Sequence, residues 1–166
     1  MSADPLRVAV AGASGRMGRM LIETIVGATD LRLAGALDVA GPAIGADAAA
    51  FLGRASGARI TADLRAGLAD AQVLIDFTRP EGTLAHLEVC RELGVKAVIG
   101  TTGFSDAQKA QIAEHARHIA VMMAPNMSVG VNVVFKLLDV AARALRIGDA
   151  AARSVGDLDA FASAGE

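Results

Sequence analysis

Residues 6–18 read LRVAVAGASGRMG and combine an apolar run with three regularly spaced glycines. Leu6–Ala11 is an apolar run interrupted only by Arg7, which predicts a buried β-strand. Glycines then recur at positions 12, 15 and 18, in the spacing GxxGxxG rather than the commoner GxGxxG. Glycines between a strand and a helix let the backbone approach a pyrophosphate, which the N–H groups of the helix N-terminus can bind. The stretch therefore predicts a phosphate-binding turn, and the alternative is a turn that serves only close helix packing.

Strands and helices are predicted to alternate along the chain after this turn. The first helix is predicted over Gly15–Val26, with Met17, Met20, Leu21 and Ile25 on its apolar face. The later predicted strands are Leu31–Leu37, Arg59–Thr61, Val73–Phe77, Ala97–Ile99 and Ile119–Met123. A short helix is predicted after Asp63, and a longer one from Pro80 to Leu93, with Thr78 as its candidate cap and Gly94 after its end. A third helix is predicted to begin at a capping box formed by Ser105 and Gln108. The last predicted helix spans Val131–Leu145 and is amphipathic or largely buried. This alternation predicts an α/β fold, a Rossmann-like doubly wound parallel sheet with helices on both faces.

The expected binding site lies in the loops that follow the strands. Right-handed crossovers place the carboxyl ends of parallel strands at one edge of the sheet. Ligands of open α/β sheets bind at that edge. The loops concerned are residues 12–18, 38 onward, 77–80, 100–104 and 124–128.

Asp38 closes the second predicted strand, twenty residues beyond Gly18. A carboxylate at this place can accept hydrogen bonds from the hydroxyl groups of an adenosine ribose, which favours NAD(H). Val39 follows instead of an arginine, so a 2′-phosphate has no obvious partner here, although Arg16 keeps NADP(H) possible. The alternative is a loop aspartate at a strand end.

Two further loops carry residues suited to a flat ring. Phe77 ends the strongest predicted strand, and Gly100, Thr101 and Thr102 follow the next one. Small residues let a ring approach closely, and backbone groups can orient a carboxamide. These loops are therefore candidates for the nicotinamide side of a site. The alternatives are core packing for Phe77 and a simple glycine-rich turn at Gly100.

The segment 124–132 is a polar break between a strand and a long helix. Asn126, Ser128 and Asn132 would be costly to bury without partners, so we expect them to bind backbone groups or a ligand. A capped helix start is the alternative.

Composition excludes several classes of protein. The chain has 166 residues, of which 53% are hydrophobic and 20% charged, which suits one domain with a buried core. The net charge of -2 argues against nucleic acid, and no apolar run approaches the roughly 18 residues that span a bilayer. Met1–Pro5 does not resemble a secretory signal, and the lone Cys90 excludes an internal disulfide framework. We expect a cytoplasmic protein without nucleic-acid or membrane partners.

The histidines, His86, His115 and His118, all fall on predicted helices and away from the strand-end edge. No two of them have a metal-binding spacing with carboxylates, so structural or solvent-exposed roles and no metal site are predicted. Cys90 is expected to act as a small buried hydrophobic residue.

Four segments together resemble one family. VAVAGASGRMGRMLIE, VLIDFTRPEGTLAHL, AVIGTTGF and APNMSVGVNVVFKLL are similar, in this order over residues 6–146, to the dihydrodipicolinate (4-hydroxy-tetrahydrodipicolinate) reductases of lysine and diaminopimelate biosynthesis. The resemblance implies an NAD(P)H-dependent oxidoreductase that transfers a hydride to a cyclic, imine-type dicarboxylate. It also implies a homotetramer.

The resemblance assigns cofactor-binding roles to residues in the same loops. It places Asp38 at the adenosine ribose. The residues that it places around the pyrophosphate are Gly12, Ala13, Ser14, Gly15, Arg16 and Met17. On the nicotinamide side it places Phe77, Gly100, Thr101 and Thr102. Over the nicotinamide, and linking to a second domain, it places Ala124, Pro125, Asn126 and Met127.

The tail departs from the family pattern. The family continues with a His-His segment and Lys-x-Asp-Ala-Pro-Ser-Gly-Thr, which bind the substrate carboxylates and supply the proton, whereas Arg146–Glu166 holds no histidine or lysine. We therefore expect a dinucleotide-binding domain over 1–128 and the start of a substrate and oligomerisation domain, truncated or replaced, over 129–166. The catalytic segment is expected to be missing from this chain, so no catalytic residue is assigned; the alternative is a non-catalytic NAD(P)-binding module or an inactive fragment.

Overall fold

The computed structural model describes residues 4–144, apart from the side chains of residues 142–144. The tail Arg146–Glu166 and the predicted helix end at Leu145 lie outside the described residues. The chain divides into two compact units, residues 1–125 and 126–166, and each is described by itself.

The first unit is built on a six-stranded sheet in which every strand pair is parallel. Its strands are β1 (Leu6–Ala11), β2 (Leu31–Leu37), β3 (Ile60–Thr61), β4 (Val73–Asp76), β5 (Lys96–Ile99) and β6 (Val121–Met123). Its α-helices are α1 (Arg16–Gly27), α2 (Leu64–Leu68), α3 (Pro80–Leu93) and α4 (Asp106–His115), and a 3₁₀ turn spans Ala50–Leu52. The strand order is β3-β2-β1-β4-β5-β6. From β1 the chain adds strands β2 and β3 on one side, and it then returns to add β4, β5 and β6 on the other side. This topological switch point confirms the predicted Rossmann-like doubly wound sheet.

The core lies on both faces of the central strand β1. Val8 and Val10 pack in a buried cluster with Ile22 of α1, whereas Ala9 packs in a second cluster with Leu87 of α3. Fully burying one such large aliphatic side chain stabilises a fold by roughly 1.5–3 kcal/mol. Because helices cover both faces, β1 is buried along most of its length. The packed strand holds the start of the following turn in place.

The buried face of α1 differs in part from the prediction: Ile25 is buried and Leu21 half-buried as expected, but the two methionines are not. Met17 and Met20 are 43% and 63% exposed, whereas Gly18, Ile22 and Ile25 are buried. The physical reason is the close approach of Gly18 to the preceding turn, which sets the rotation of the helix about its axis. Helical periodicity predicted the helix, but this backbone contact decides which face is buried.

Local capping signals place most helix ends where the sequence predicts them. Gly94 ends α3 in the left-handed conformation, at φ 71°. The capping box at α4 is confirmed, because the Gln108 N–H donates to Ser105 Oγ at 3.3 Å and the Ser105 N–H to Gln108 Oε1 at 2.9 Å. Such a cap is worth about 1 kcal/mol. Thr78 does not cap α3, since its hydroxyl donates to Asp76 instead and the N-cap residue is Arg79.

The second unit contains α5 (Val129–Ala144), which begins two residues before its predicted start. The Ser128 N–H donates to Asn126 Oδ1 at 2.8 Å, and the Val131 N–H donates to Ser128 Oγ at 3.4 Å. The amide of Asn132 donates to the Ser128 carbonyl at 2.9 Å. The polar residues of this segment therefore bind the backbone, as in the capped-start alternative.

Helix α5 is not largely buried in this chain. Its large apolar side chains that are at least half exposed are Val129, Val133, Val134, Leu137, Leu138 and Val140. Within residues 4–144, no helix combines the length and the apolar character needed to cross a membrane.

Candidate functional site

The glycine turn between β1 and α1 is fixed by backbone geometry. Gly12 has φ 72°, in the left-handed region that glycine favours, and the Gly15 N–H donates to its carbonyl at 3.0 Å. A Cβ on Gly18 would lie 2.1 Å from the Gly12 carbonyl oxygen, a distance at which the two atoms would overlap. Only glycine therefore fits at this position without a shift of the backbone. Helix α1 starts directly after this turn, and its N-cap residue Gly15 contributes no side chain to the helix N-terminus. The geometry suits an anionic group at that N-terminus.

Asp38 is tied to the glycine turn by a contact that sequence reasoning missed. Its Oδ2 accepts hydrogen bonds from the backbone N–H of Ser14 at 2.7 Å and from the Ser14 hydroxyl. Its Oδ1 accepts from the Val39 N–H at 2.8 Å. A carboxylate offers about four acceptor positions, so one remains for a hydroxyl group of a ligand. Val39 is 82% exposed and presents no charge beside this carboxylate.

The loops after β4 and β5 pack directly on each other. A Cβ on Gly100 would lie 2.0 Å from Cε1 of the Phe77 ring, so the ring occupies the space above this glycine. The Gly100 N–H also donates to the Asp76 carbonyl at 2.9 Å. The structure thus brings Phe77 and Gly100 together, and it gives Gly100 a packing role that holds whether or not a ligand is present.

A buried polar group lies beneath these two loops, and the sequence analysis did not identify it. We name it the Asp76 cluster; it consists of Asp76, Thr78, Thr83, His86 and Thr101. Asp76 ends β4 and is 1% exposed. Its Oδ1 accepts from the Thr78 N–H at 2.9 Å, from the Thr78 hydroxyl at 2.6 Å and from the Thr101 hydroxyl at 3.3 Å. Its Oδ2 lies 2.7 Å from His86 Nδ1.

The cluster keeps Asp76 ionised. Burial alone would raise the pKa of this carboxyl, but the hydrogen bonds from His86 and Thr78, together with the charge of His86, hold its pKa below the usual value. An ionised carboxylate accepts stronger hydrogen bonds than a neutral acid, so the cluster is held more firmly.

The prediction that no histidine lies at the strand-end edge is wrong for His86. Helix α3 begins at Pro80, close behind the end of β4, and His86 is less than two turns into it. One helical turn rises about 5.4 Å, so this side chain still reaches the carboxylate at the end of the strand. Its side chain is only 12% exposed.

The sites at the ends of β1 and β4 touch at the switch point. A Cβ on Gly12 would lie 3.2 Å from Cγ2 of Thr78, so the glycine turn and the β4 loop are immediate neighbours. The glycine turn, Asp38, Phe77 and Gly100 all follow parallel strands and therefore share one edge of the sheet.

The other predicted residues differ in exposure and in position. Thr101 is buried within the Asp76 cluster, whereas Arg16, Met17 and Thr102 are exposed. Ala124 follows β6 and donates its N–H to the Ile99 carbonyl at 3.2 Å, with Pro125 exposed after it. Asn126 and Met127 belong to the second unit.

Neither a metal centre nor a reactive thiol emerges from the described part of the chain. Among residues 4–144, no group of three or more histidine, cysteine, aspartate or glutamate side chains is placed to hold a metal ion. Cys90 is fully buried, and burial together with the charge of Asp76 raises the pKa of its thiol to about 12. This confirms the prediction that Cys90 acts as a small buried hydrophobic residue.

Comparison with known sequences shows the family of the chain. The sequence model described as dihydrodipicolinate reductase, N-terminus, matches residues 6–127. The chain is 64% identical over 141 residues to the 4-hydroxy-tetrahydrodipicolinate reductase of Herminiimonas arsenicoxydans, a match that covers 84% of this chain and 53% of that protein. It is 63% identical over 144 residues to the enzyme of that name from Cupriavidus pinatubonensis, covering 86% of this chain and 54% of the relative.

A solved structure agrees with the sequence matches. The dihydrodipicolinate reductase of Paenisporosarcina sp. TG-14, determined with dipicolinate bound, superposes with a TM-score of 0.67 at 26% identity, covering 83% of this chain and 54% of that one. The chain therefore spans about half the length of the curated relatives it matches.

Proposed function

The chain belongs to the dihydrodipicolinate reductase family, and we propose that its strand-end edge binds a nicotinamide dinucleotide, NAD(H) in preference to NADP(H). We place the nucleotide-binding domain at residues 1–128 and the start of a substrate and oligomerisation domain at 129–166. The proposed activity of the whole protein is that of a 4-hydroxy-tetrahydrodipicolinate reductase. The observation that carries the nucleotide proposal is the closed glycine turn, with Gly18 against the Gly12 carbonyl, at the start of α1.

The pyrophosphate is proposed to bind at residues 12–17. The first N–H groups of α1 and the positive end of its dipole favour negative charge at this place. The absence of a side chain at Gly15 leaves room for the phosphate oxygens. Arg16 is exposed beside the turn and can add a positive charge.

The adenosine ribose is proposed to bind at Asp38. The open acceptor position on Oδ1 can take a ribose hydroxyl, while Ser14 holds the other oxygen in place. A 2′-phosphate would bring a second negative charge to the same carboxylate, and the exposed Val39 offers it no cation. This arrangement supports the preference for NAD(H), with Arg16 as the residue through which NADP(H) can still bind.

The nicotinamide is proposed to lie against Phe77 and Gly100–Thr102, with Ala124 and Pro125, which follow β6, closing over it. The reduced nicotinamide supplies the hydride when it is bound. The residues of this chain bind the ring, fix its orientation and limit the access of water. The backbone of Gly100 is restrained by the Asp76 carbonyl, so the ring would meet a pre-formed surface.

The proposed substrate class is a cyclic dicarboxylate, because the solved relative holds dipicolinate. We assign neither a proton donor nor a carboxylate-binding residue within residues 4–144. We place the protein in the cytoplasm as part of the same proposal, since a biosynthetic reductase draws on the cytoplasmic pool of reduced nucleotide.

The proposal is tested by titrating the purified chain with NADH and, in parallel, with NADPH while following nucleotide fluorescence. We expect saturable binding of both, with the lower Kd for NADH. Binding of NADPH alone would overturn the role given to Asp38, and no saturation with either nucleotide would overturn the proposed site.

A second candidate is a nucleotide-binding module without turnover, because every site residue proposed within residues 4–144 serves nucleotide binding. Turnover of 4-hydroxy-tetrahydrodipicolinate by the same preparation separates the two. A measurable rate of NADH oxidation supports the reductase, and binding without turnover supports the module.

A further inference from the structure

We propose that Asp76 and His86 are positioning residues, which hold the loops after β4 and β5 in the shape that receives the nicotinamide. They act through the Asp76 cluster and need not touch the nucleotide. The inference rests on the function proposed above and adds two residues to which no binding role has so far been assigned.

The Asp76 cluster links three separate segments of the chain. Asp76 ends β4, Thr101 follows β5, and Thr83 and His86 lie on α3. The Thr78 N–H lies within hydrogen-bond distance of both Asp76 Oδ1, at 2.9 Å, and Thr101 Oγ1, at 3.0 Å. Thr83 donates its hydroxyl to Thr101 Oγ1 at 3.0 Å. The two loops are therefore joined to each other and to the helix by side-chain bonds.

His86 completes the pairing of the buried carboxylate. Its Nδ1 lies 2.7 Å from Asp76 Oδ2, the oxygen that receives no other hydrogen bond within the cluster. A buried carboxylate without a donor on one oxygen would draw in water or reorient toward other donors. Reorientation of the carboxylate would release Thr78 or Thr101, because both bind the opposite oxygen.

The ring of Phe77 depends on this arrangement. Phe77 lies between Asp76 and Thr78 in the sequence, and its ring covers Gly100 at the start of the neighbouring loop. If Thr78 and Thr101 are released, the Phe77 ring and the Gly100 backbone are no longer held in fixed positions relative to each other. The glycine turn and Asp38 are bound instead through Ser14 and through the carbonyls of Leu37 and Thr61. Loss of the cluster should therefore affect the nicotinamide half of the site and spare the adenosine half.

The test compares NADH with ADP-ribose, which keeps the adenosine and the pyrophosphate but lacks the nicotinamide. Isothermal titration of the full chain gives both dissociation constants for the unmodified protein and for Asp76→Asn. We expect Asp76→Asn to raise the Kd for NADH about tenfold, equivalent to about 1.4 kcal/mol, and to leave the Kd for ADP-ribose within about twofold.

The matched control is Asp47→Asn. Asp47 is also a carboxylate that accepts several hydrogen bonds, from Ala49, Ser56 and Gly57, but it lies in the loop between β2 and β3. This substitution should leave both dissociation constants unchanged, and so it controls for the loss of a hydrogen-bonded carboxylate elsewhere in the fold.

Two variants of His86 keep the test decisive if Asp76→Asn does not fold. His86→Leu removes the donor and should repeat the selective loss of NADH affinity. His86→Asn places an amide donor near the position of Nδ1 and should restore most of that affinity. Failure of His86→Asn to improve on His86→Leu would contradict a role through the hydrogen bond to Asp76.

The remaining outcomes separate the inference from the proposed function. An equal loss of affinity for NADH and ADP-ribose would show a general structural role, and unchanged NADH affinity would show no role; each overturns the inference while the binding site stands. If the unmodified chain binds neither ligand, the proposed function fails and the inference fails with it.

Discussion

The two halves of the strand-end edge are built in different ways. At the ends of β1 and β2, the site is shaped by backbone conformation, with Gly12 in the left-handed region and Gly18 against a carbonyl oxygen. At the ends of β4 and β5, it is shaped by buried side chains, which bond across 18 to 25 residues of sequence. One added methyl group should therefore weaken binding at the first half, whereas one altered polar atom should weaken it at the second.

The largest expected effect is that of Gly18→Ala on the backbone-built half. The new Cβ would lie 2.1 Å from the Gly12 carbonyl oxygen, so the turn or the helix must shift. We expect a loss of NADH affinity of about 100-fold or more, equal to about 2.7 kcal/mol, and a lower Tm. Fluorescence titration and circular dichroism measure the two effects.

Gly27→Ala in the same helix is the control for that substitution. A Cβ at Gly27 meets nothing within 4 Å, so NADH affinity should not change. Stability should stay the same or rise by up to about 1 kcal/mol, because alanine favours a helix over glycine. Equal effects of the two substitutions would contradict the role given to the Gly18 contact.

Asp38→Asn should have a smaller effect on the same half. The amide can still accept from the Ser14 N–H, but it no longer offers a charged acceptor to a ribose hydroxyl. We expect the Kd for NADH to rise about tenfold, which corresponds to about 1.4 kcal/mol, and that for NADPH to rise less. Parallel titrations measure the ratio of the two constants, and an unchanged ratio would count against Asp38 as the residue that distinguishes the nucleotides.

Features that depend on consecutive residues were predicted from the sequence, whereas features that depend on tertiary contacts were not. Local signals predicted β1, the glycine turn, the end of α3 at Gly94 and the capping box at Ser105, because each depends on a few consecutive residues. They also predicted which loops share an edge, since parallel strands impose it.

The Asp76 cluster could not be predicted in this way. His86 and Thr101 meet Asp76 only after α3 and β5 pack on β4, and no spacing in the sequence marks that meeting. The exposed positions of Met17 and Met20 escaped prediction for a related reason, because a tertiary contact at Gly18 sets the rotation of α1. The assignment of nucleotide-binding roles to the loop residues stays a prediction.

Gly100→Ala should have a smaller effect, confined to the half that is built by side chains. The Cβ would meet the Phe77 ring at 2.0 Å, but a ring can rotate away more readily than a backbone carbonyl. We expect NADH affinity to fall about fivefold, equal to about 1 kcal/mol, with ADP-ribose affinity unchanged. Calorimetric titration with both ligands measures this, and a 100-fold loss for both would place Gly100 with the backbone-built half.

The smallest expected effect concerns acid stability at Asp47, outside both halves. Hydrogen bonds from the Ser56 and Ala49 backbone lower the pKa of Asp47 from 3.8 to about 2. A carboxyl with a lowered pKa stabilises the folded state above pH 4, and this contribution is lost as the pH falls toward 2. The Tm of Asp47→Asn should therefore fall less steeply between pH 4 and pH 2 than that of the unmodified chain, and parallel slopes would contradict this.

A set of amide ¹⁵N–¹H spectra of the chain, recorded first with ADP-ribose and then with NADH, tests the claim that the site is built in two parts. If the edge binds the nucleotide in two separately built halves, ADP-ribose will shift the amides of residues 12–18 and Asp38. NADH will shift these and also the amides of residues 77–78 and 100–102. NADH spectra in which residues 12–18 do not move, or in which the shifts lie mainly outside these loops, would contradict the claim.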